Sequence, residues 1–157
     1  MQKELFQFEF EVYDSSSSLI NEDRDLFNAA KRAACDAYAP YSKFLVGAAA
    51  RLENGMVITG GNQENASFPA GLCAEGVVMA AASSGFPNVP IASIAVTYQS
   101  EIVSGDHPIS PCGICRQSIQ EHKLKTGKAI RLIMGGPEGK IIVINDATNL
   151  MPLAFKF

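Results

Sequence analysis

The fold is decided by residues 44–59, which read FLVGAAARLENGMVIT. The first part, Phe44 to Leu52, is apolar on both sides of the expected pleat, a pattern typical of a central strand covered on both faces. Asn54-Gly55 is a strong signal for a tight hairpin turn, and Met56 to Thr59 is expected to form the partner strand. The stretch therefore predicts a hairpin within a sheet that carries other elements on both faces.

The rest of the chain alternates predicted helices and strands. Helices are predicted over residues 21–38, 73–84 and 112–126. Further strands are predicted over residues 91–98, 130–134 and 141–144. These elements predict the α/β fold class, a three-layer α/β/α arrangement around a five-stranded mixed sheet, in a single domain over residues 1–157.

Residues 1–18 are predicted to be a strand and linker that extend this domain at its N-terminus. The strand is expected over Phe6 to Val12, where apolar and polar residues alternate with the period of a half-buried strand. Ser15 to Ser18 are expected to form a polar connector. We assign the extension no function.

Composition and charge limit the function classes. The start of the chain has no apolar core of a signal peptide, and no stretch reaches the ~20 apolar residues that cross a bilayer. A cytoplasmic, reducing compartment is the default expectation, in which 4 cysteines suggest a metal or catalysis before disulfides. The formal net charge of -3 argues against a protein that neutralises nucleic-acid phosphates. We therefore expect neither nucleic acid nor membrane as a partner.

Two short cysteine-containing runs carry the chemistry: Cys73-Ala74-Glu75 and Pro111-Cys112-Gly113-Ile114-Cys115. Each is expected to open a helix, where free N–H groups and the helix dipole favour thiolate. Cys112 and Cys115 lie on one turn, and Cys73 would complete the ligand set from the second helix. Three protein ligands leave the fourth tetrahedral position for water, which is the arrangement of a catalytic Zn²⁺ rather than a structural one.

Glu75 follows the first cysteine by two positions, and we expect its carboxylate to point past the metal and to carry protons. A zinc site of three cysteines with a glutamate that is not a ligand is a known arrangement of nucleobase deaminases. Our assignment is a match to that arrangement.

The sequence resembles the small zinc-dependent cytidine deaminases of nucleoside salvage, over residues 37–155. Besides the cysteine runs, the resemblance rests on Ala39-Pro40-Tyr41-Ser42-Lys43-Phe44, Gly61-Asn62-Gln63-Glu64-Asn65-Ala66 and Arg116-Gln117. It implies a cytidine deaminase-like fold, a homotetramer, and hydrolysis of cytidine and deoxycytidine to uridine and deoxyuridine plus ammonia.

The resemblance also implies roles for substrate-binding residues. Asn62 and Glu64 would hold the ribose 3′-hydroxyl, and the Phe44 ring would pack against the pyrimidine. The base and the leaving amine would be met by the backbone N–H of Ala74 and the carbonyl of Ser110.

A C-terminal aromatic is a further point of resemblance. Phe155 resembles a residue that reaches the site of a neighbouring subunit, although it would also serve as a simple C-terminal plug.

Two positions depart from the family pattern. Gly76 stands where the family usually has arginine, and Phe68 stands where tyrosine is common. Zinc with three thiolates carries a net negative charge, which the missing arginine would relieve. We therefore predict that Arg116, directly after Cys115, supplies charge compensation.

Alternatives to nucleoside deamination remain open at this point. The same chemistry would suit another cytosine-bearing small molecule such as blasticidin, a free base or a nucleotide, although Glu64 disfavours a phosphate nearby. A nucleoside-binding relative without turnover is the alternative from another class, and Gly76 is the one feature that favours it.

The remaining cysteine and the histidines are expected to be structural. Cys112 and Cys115 would also suit a redox pair, but such a pair has no need of Cys73 and Glu75. Cys35 is interpreted as a packing or interface residue, and His107 and His122 as surface residues.

Overall fold

The computed structural model describes residues 1–103 and 105–155. Its strands are β1 (Glu11–Tyr13), β2 (Phe44–Leu52), β3 (Val57–Gly61), β4 (Ile91–Ser100), β5 (Arg131–Gly135) and β6 (Ile141–Ile144). Its α-helices are α1 (Asn21–Cys35), α2 (Ala74–Gly85) and α3 (Gly113–Thr126). Short 3₁₀ turns lie at Ser16–Ser18, Phe68–Ala70 and Ala147–Leu150. None of the helices in these described ranges is long and apolar enough to cross a membrane.

The strands form one mixed sheet in the order β1-β6-β5-β4-β2-β3. β4 and β5 are parallel, and the other neighbours are antiparallel. The predicted α/β fold with a mixed sheet is confirmed, and the predicted central hairpin is the pair β2 and β3. The sheet has 6 strands rather than the five predicted, because β1 adds to its edge.

The N-terminal strand is shorter than the alternating pattern indicated. Only Glu11–Tyr13 pairs with the sheet, against the 4-residue strand β6. Phe6 and Phe10 are each 53% exposed, so the alternation in Phe6 to Val12 does not mark a half-buried strand. The prediction of a strand over that whole segment is wrong, because the sheet edge offers so short a partner.

The core has two parts because β2 is buried on both faces. The side chains of Ala48 and Ala50 pack in the cluster that contains α2 residues, and Ala49 packs in the cluster that contains α1 residues. All are fully buried. This alternation produces the predicted three-layer arrangement.

Gly47 allows α1 to approach the sheet closely. A Cβ atom at this position would lie 2.1 Å from the carbonyl oxygen of Ala30 and 2.4 Å from the backbone nitrogen of Ala34. A side chain of any size would therefore push α1 away from β2.

His122 is buried, so its prediction as a surface residue is wrong. Its Nε2 accepts a hydrogen bond from the backbone N–H of Ile91 at 3.1 Å, at the start of β4. Burial, followed by the charge of Lys125, lowers the pKa of this imidazole. The bond requires an unprotonated Nε2, so the depressed pKa and the contact agree.

Candidate metal centre and active site

The first turns of α2 and α3 bring the cysteines together. Cys73 and Cys112 are the N-cap residues of these helices, each with extended backbone. Cys115 lies in the first turn of α3 and is buried. The prediction that each cysteine run opens a helix is confirmed.

The cysteine sulfurs lie at the spacing of a common metal ion. Cys112 Sγ is 3.5 Å from Cys73 Sγ and 3.5 Å from Cys115 Sγ, and all of these sulfurs lie within 4.8 Å of one another. Tetrahedral zinc with Zn–S bonds of ~2.3 Å requires sulfurs ~3.8 Å apart. The set fits Zn²⁺, and it is the one such group of His, Cys, Asp or Glu residues within residues 1–103 and 105–155.

The thiols compete with one another for ionisation. Burial, with the hydrogen bond and charge of Cys112, raises the pKa of Cys73 to about 11. Burial and the charge of Glu75 raise the pKa of Cys115 well above its usual range. A cation that binds here therefore displaces protons, and its affinity falls as the pH falls.

Cys112 differs from Cys73 because backbone N–H groups in the first turn of α3 donate to its sulfur. Burial acts to raise the pKa of this thiol, but hydrogen bonds from the backbone N–H of Cys115 and from the neighbouring thiols outweigh burial. The pKa of Cys112 is lowered as a result. Backbone N–H groups at a helix start thus favour its thiolate.

Glu75 lies beside this cluster in the first turn of α2 and is only 4% exposed. Burial raises the pKa of its carboxyl, opposed in part by its own backbone N–H and by Cys115. A carboxyl with a raised pKa can both accept and donate a proton nearer to neutral pH than an exposed one.

A pocket of about 690 Å³ opens above the cluster. Most of the predicted site residues line it: Phe44, Asn62, Glu64, Cys73, Ala74, Glu75, Ser110 and Cys112. Cys115 is buried and is not part of the lining, and neither are Arg116 and Phe155. The fold therefore brings residues from four separate segments of the sequence to one cavity.

Glu64 is held as a carboxylate at one side of the pocket. Its Oε2 accepts hydrogen bonds from the backbone N–H groups of Tyr41 and Ser42, at 2.8 and 3.2 Å. The Ser42 hydroxyl, and then these N–H groups, lower the pKa of Glu64. These contacts engage Oε2 and fix the direction of the other oxygen before a ligand binds.

Asn62 continues the β2 pairing just past the end of β3. Its Oδ1 accepts from the N–H of Val46 at 2.8 Å, and its Nδ2 donates to the carbonyl of Phe44 at 3.0 Å. Each polar atom keeps one further hydrogen or lone pair. The side chain thus anchors the loop to the strand and still has capacity to bind a ligand.

The residues around the pocket include some that sequence reasoning missed. Tyr98 stacks on the Phe44 ring from inside the protein, with centroids 4.8 Å apart and planes at 18°. Tyr41 and Phe68 meet edge to face at the pocket mouth, and Phe68 is 78% exposed. Phe68 was singled out only as a departure, and nothing in the sequence alone pairs it with Tyr41.

Arg116 contacts the chain on either side of α3. Its Nε donates to the carbonyl of Pro111 at 2.8 Å, and its Nη1 donates to the carbonyl of Leu150 at 3.0 Å. Within the described part of the chain, no hydrogen bond joins it to a cysteine sulfur. Arg116 therefore holds the segment that leads into Cys112. No direct contact with a described cysteine sulfur supports its predicted role in charge compensation.

Phe155 lies away from the pocket of its own chain. Its carbonyl accepts a hydrogen bond from Gln117 Nε2 at 3.1 Å, and the residue is 70% exposed. Together with Gly76 it borders a shallow groove between α2 and α3. A Cβ at Gly76 would meet nothing within 4 Å.

The family model for the cytidine and deoxycytidylate deaminase zinc-binding region matches residues 20–129. A cytidine deaminase of Mycobacterium tuberculosis is 42% identical over 93 residues, and the match covers 59% of this chain and 65% of that protein. This chain thus spans slightly less than two thirds of that relative. A cytidine deaminase of Halalkalibacterium halodurans is 38% identical over 120 residues, with 76% of this chain and 83% of that one covered.

Solved structures agree with the sequence relatives. The crystal structure of a cytidine deaminase from Burkholderia pseudomallei matches this chain with a TM-score of 0.72 and 36% sequence identity. The match covers 87% of this chain and 100% of that chain. The crystal structure of a cytidine deaminase from Mycobacterium tuberculosis matches with a TM-score of 0.66 and 33% sequence identity. That match covers 88% of this chain and 99% of that chain.

Proposed function

We propose, from the premise that this chain belongs to the cytidine and deoxycytidylate deaminase family, that it hydrolyses cytidine and deoxycytidine to uridine and deoxyuridine. Ammonia is the other product. The observation that carries this proposal is the buried carboxyl of Glu75 beside the sulfurs of Cys73, Cys112 and Cys115, at the base of one pocket. A metal with an adjacent proton carrier is what hydrolysis at an amidine carbon requires.

The chain would hold zinc through Cys73, Cys112 and Cys115. When bound, zinc supplies a Lewis acid that makes water nucleophilic near neutral pH. Glu75 would accept one proton of the attacking water and deliver it to N3 of the pyrimidine. Glu75 would then carry the second proton of that water to the amine. The C4–N bond breaks, ammonia leaves, and the oxygen of the water becomes the carbonyl at C4.

Other groups of the pocket would orient the base. The Phe44 ring offers an apolar surface for the pyrimidine, and its face opposite the base is supported by Tyr98. The N–H of Ala74, at the start of α2, would donate to the base, and the carbonyl of Ser110 would accept from the amine. Both are fixed backbone groups, so they need no reorganisation during the reaction.

The sugar would be held by Asn62 and Glu64. The bonds from Tyr41 and Ser42 preorient the Glu64 carboxylate, which suits it to accept a hydrogen bond from a ribose 3′-hydroxyl. This hydroxyl is present in both cytidine and deoxycytidine, so the contact supports activity on both.

A substrate panel with metal analysis tests the proposed function. We expect about one zinc per chain and deamination of cytidine and deoxycytidine in preference to cytosine, dCMP and blasticidin. A zinc-loaded protein that deaminates blasticidin alone would transfer the proposal to that class. A zinc-loaded protein that binds nucleosides without turnover would mean a non-catalytic relative.

Glu64→Gln is expected to lower kcat/KM for cytidine by about 10- to 100-fold, because a hydrogen bond to a charged group contributes about 1.5–3 kcal/mol. The matched control is a change in the substrate. On 3′-deoxycytidine, which lacks the hydroxyl, the same variant should lose little. An equal loss on both substrates, measured by steady-state kinetics, would show that Glu64 does not hold that hydroxyl.

We further propose that the protein is a cytoplasmic homotetramer with sites completed across subunits. All 4 cysteines of the chain are free thiols, which suits a reducing compartment. Phe155 is exposed and lies outside its own pocket, while the pocket mouth exposes Phe68 and Leu72, at 78% and 56%. Such a mouth suits coverage by an aromatic residue from another copy of the chain.

Phe155→Ala is expected to raise KM for cytidine by about 10- to 100-fold, because the lost burial of an aromatic side chain contributes about 1.5–3 kcal/mol. Leu5→Ala removes another exposed apolar side chain and serves as the control. The decisive measurement mixes Phe155→Ala protomers with Glu75→Gln protomers, and assays them at cytidine concentrations below KM. Recovered activity in mixed oligomers is expected, and a fully active monomer in light scattering would contradict the proposal.

A further inference from the structure

We propose that Tyr98 and His107 are positioning residues for the substrate base, because they hold the ring of Phe44 from behind the pocket. The inference rests on the proposed function, in which Phe44 packs against the pyrimidine. Neither residue lines the pocket. Any effect of theirs on a ligand is therefore indirect, and the proposed route is the ring of Phe44, on which Tyr98 stacks.

Tyr98 supports the Phe44 ring from the neighbouring strand. In the register of β2 and β4, Tyr98 lies opposite Val46, and Phe44 lies opposite Ser100. Phe44 and Tyr98 are thus diagonal neighbours on one face of the sheet, a spacing that aromatic side chains bridge. Their rings are nearly parallel, at 18° and 4.8 Å, and Tyr98 is fully buried.

The other end of Tyr98 meets His107. The Tyr98 hydroxyl lies 3.3 Å from His107 Nδ1, and the two rings are tilted with centroids 5.6 Å apart. His107 also pairs with Asp106, whose Oδ1 is 3.6 Å from Nδ1. The three rings of Phe44, Tyr98 and His107 therefore form a continuous column from the pocket wall to the loop between β4 and α3.

The loop that carries His107 is itself tied to the sheet. The carbonyl of Gly105 accepts a hydrogen bond from the N–H of Glu138 at 3.1 Å, in the turn between β5 and β6. A Cβ at Gly136 would lie 2.1 Å from the same carbonyl oxygen, so the two segments pack backbone against backbone. The backbone that leads into His107 is therefore held against the turn between β5 and β6, while the His107 side chain is 54% exposed.

Phe44 has little freedom except at its ring. Its N–H donates to Ser42 Oγ at 3.0 Å, and its carbonyl accepts from Asn62 Nδ2 at 3.0 Å. The backbone is fixed by these bonds, and the orientation of the ring depends on the surface against which it stacks. Removing the Tyr98 ring frees the Phe44 side chain to rotate, and a ligand must then reorder it on binding.

The test compares Tyr98→Leu, Tyr98→Phe and His107→Ala with the wild type, measuring KM and kcat for cytidine and the dissociation constant for uridine by calorimetry. Tyr98→Leu is expected to weaken uridine binding and raise KM by about 2- to 10-fold, the worth of an aromatic pair, with kcat changed less than about 2-fold. Phe27→Leu changes a fully buried aromatic residue in the core cluster that contains α1 residues, and it is the control for a purely structural loss. It should lower the melting temperature and leave KM unchanged.

Tyr98→Phe and His107→Ala remove the same contact and keep the stacked ring. Each should raise KM by less than Tyr98→Leu does, and the double variant should be no worse than either single one. They carry the test if Tyr98→Leu does not fold. Unchanged KM and uridine affinity in all these variants, or a loss confined to kcat, would overturn the inference. A wild-type protein without cytidine deaminase activity would instead overturn the proposed function.

Discussion

Glu75→Gln is expected to reduce kcat for cytidine by at least about 100-fold, which is the lower end of what a general acid–base group contributes. The amide has nearly the same size as the carboxyl but can neither accept a proton from water nor return it to N3 and the amine. Because Glu75 would act in several proton transfers, the loss is expected to lie toward the upper end of about 10⁴-fold. Steady-state kinetics on purified, zinc-loaded protein measures it.

The same variant should keep its metal and its fold. Glu75 is 4% exposed and lies beside Cys115, and burial raises the pKa of its carboxyl. An amide of similar size carries no charge, so its burial at this position should cost the fold little. Zinc content and melting temperature should therefore be close to those of the wild type. Glu22→Gln changes a glutamate in the first turn of α1 with an 82% exposed side chain, and should leave kcat unchanged. More than about a tenth of wild-type activity in Glu75→Gln would contradict the proton-carrier role.

The sequence predicted the cysteine site because its information is local. Cys112 and Cys115 lie on one turn of a helix, and a helix start can be recognised from Pro111 and the residues that follow. Cys73 required a match to a known motif, since its approach to Cys112 joins positions 39 residues apart. The structure supplies that approach through the packing of α2 and α3 on one face of the sheet.

The features that the sequence did not predict depend on long-range packing. His122 faces Ile91 because α3 packs beside the start of β4, and no helical period in a polar segment indicates such a contact. Tyr98 was included in a predicted strand, but its place behind Phe44 depends on the register of β2 and β4. The extent of β1 depends on the length of β6, which lies at the other end of the chain.

The structure directs the electrostatic hypothesis for the metal site away from Arg116 and towards the backbone at the start of α3. Arg116 was predicted to relieve the negative charge of the thiolates, and its contacts run instead to the carbonyls of Pro111 and Leu150. Backbone N–H groups at the start of α3 lower the pKa of Cys112, so the helix itself favours one thiolate. Gly76 borders the groove between α2 and α3, and a Cβ there would meet nothing within 4 Å, so Gly76→Arg is a variant that would test the effect of added positive charge.

Cys112→Ala is expected to abolish activity through loss of zinc. Cys112 Sγ lies 3.5 Å from each of the other sulfurs, and without it two ligands remain on opposite helices. Changing a residue that only contacts a metal ligand lowers metal affinity by ~10- to 100-fold. Losing a ligand itself should lower the affinity by more than that. Zinc measured by plasma mass spectrometry should therefore fall from about one per chain to below about a tenth after dialysis against a weak chelator.

Cys35→Ala is the matched control, because Cys35 is the remaining free cysteine and is exposed. Its Sγ contacts Gln99 Nε2 at 3.4 Å, and it is not one of the clustered ligands. Zinc content and activity should stay at wild-type levels in that variant.

Cys112 is exposed, so its replacement should leave the fold intact, and circular dichroism should be unchanged. Because zinc also stabilises the folded state by binding, added chelator should lower the melting temperature of the wild type and of Cys35→Ala but not that of Cys112→Ala. Retention of about one zinc per chain by Cys112→Ala would mean that the metal is held elsewhere, and the assignment of this cluster would be wrong.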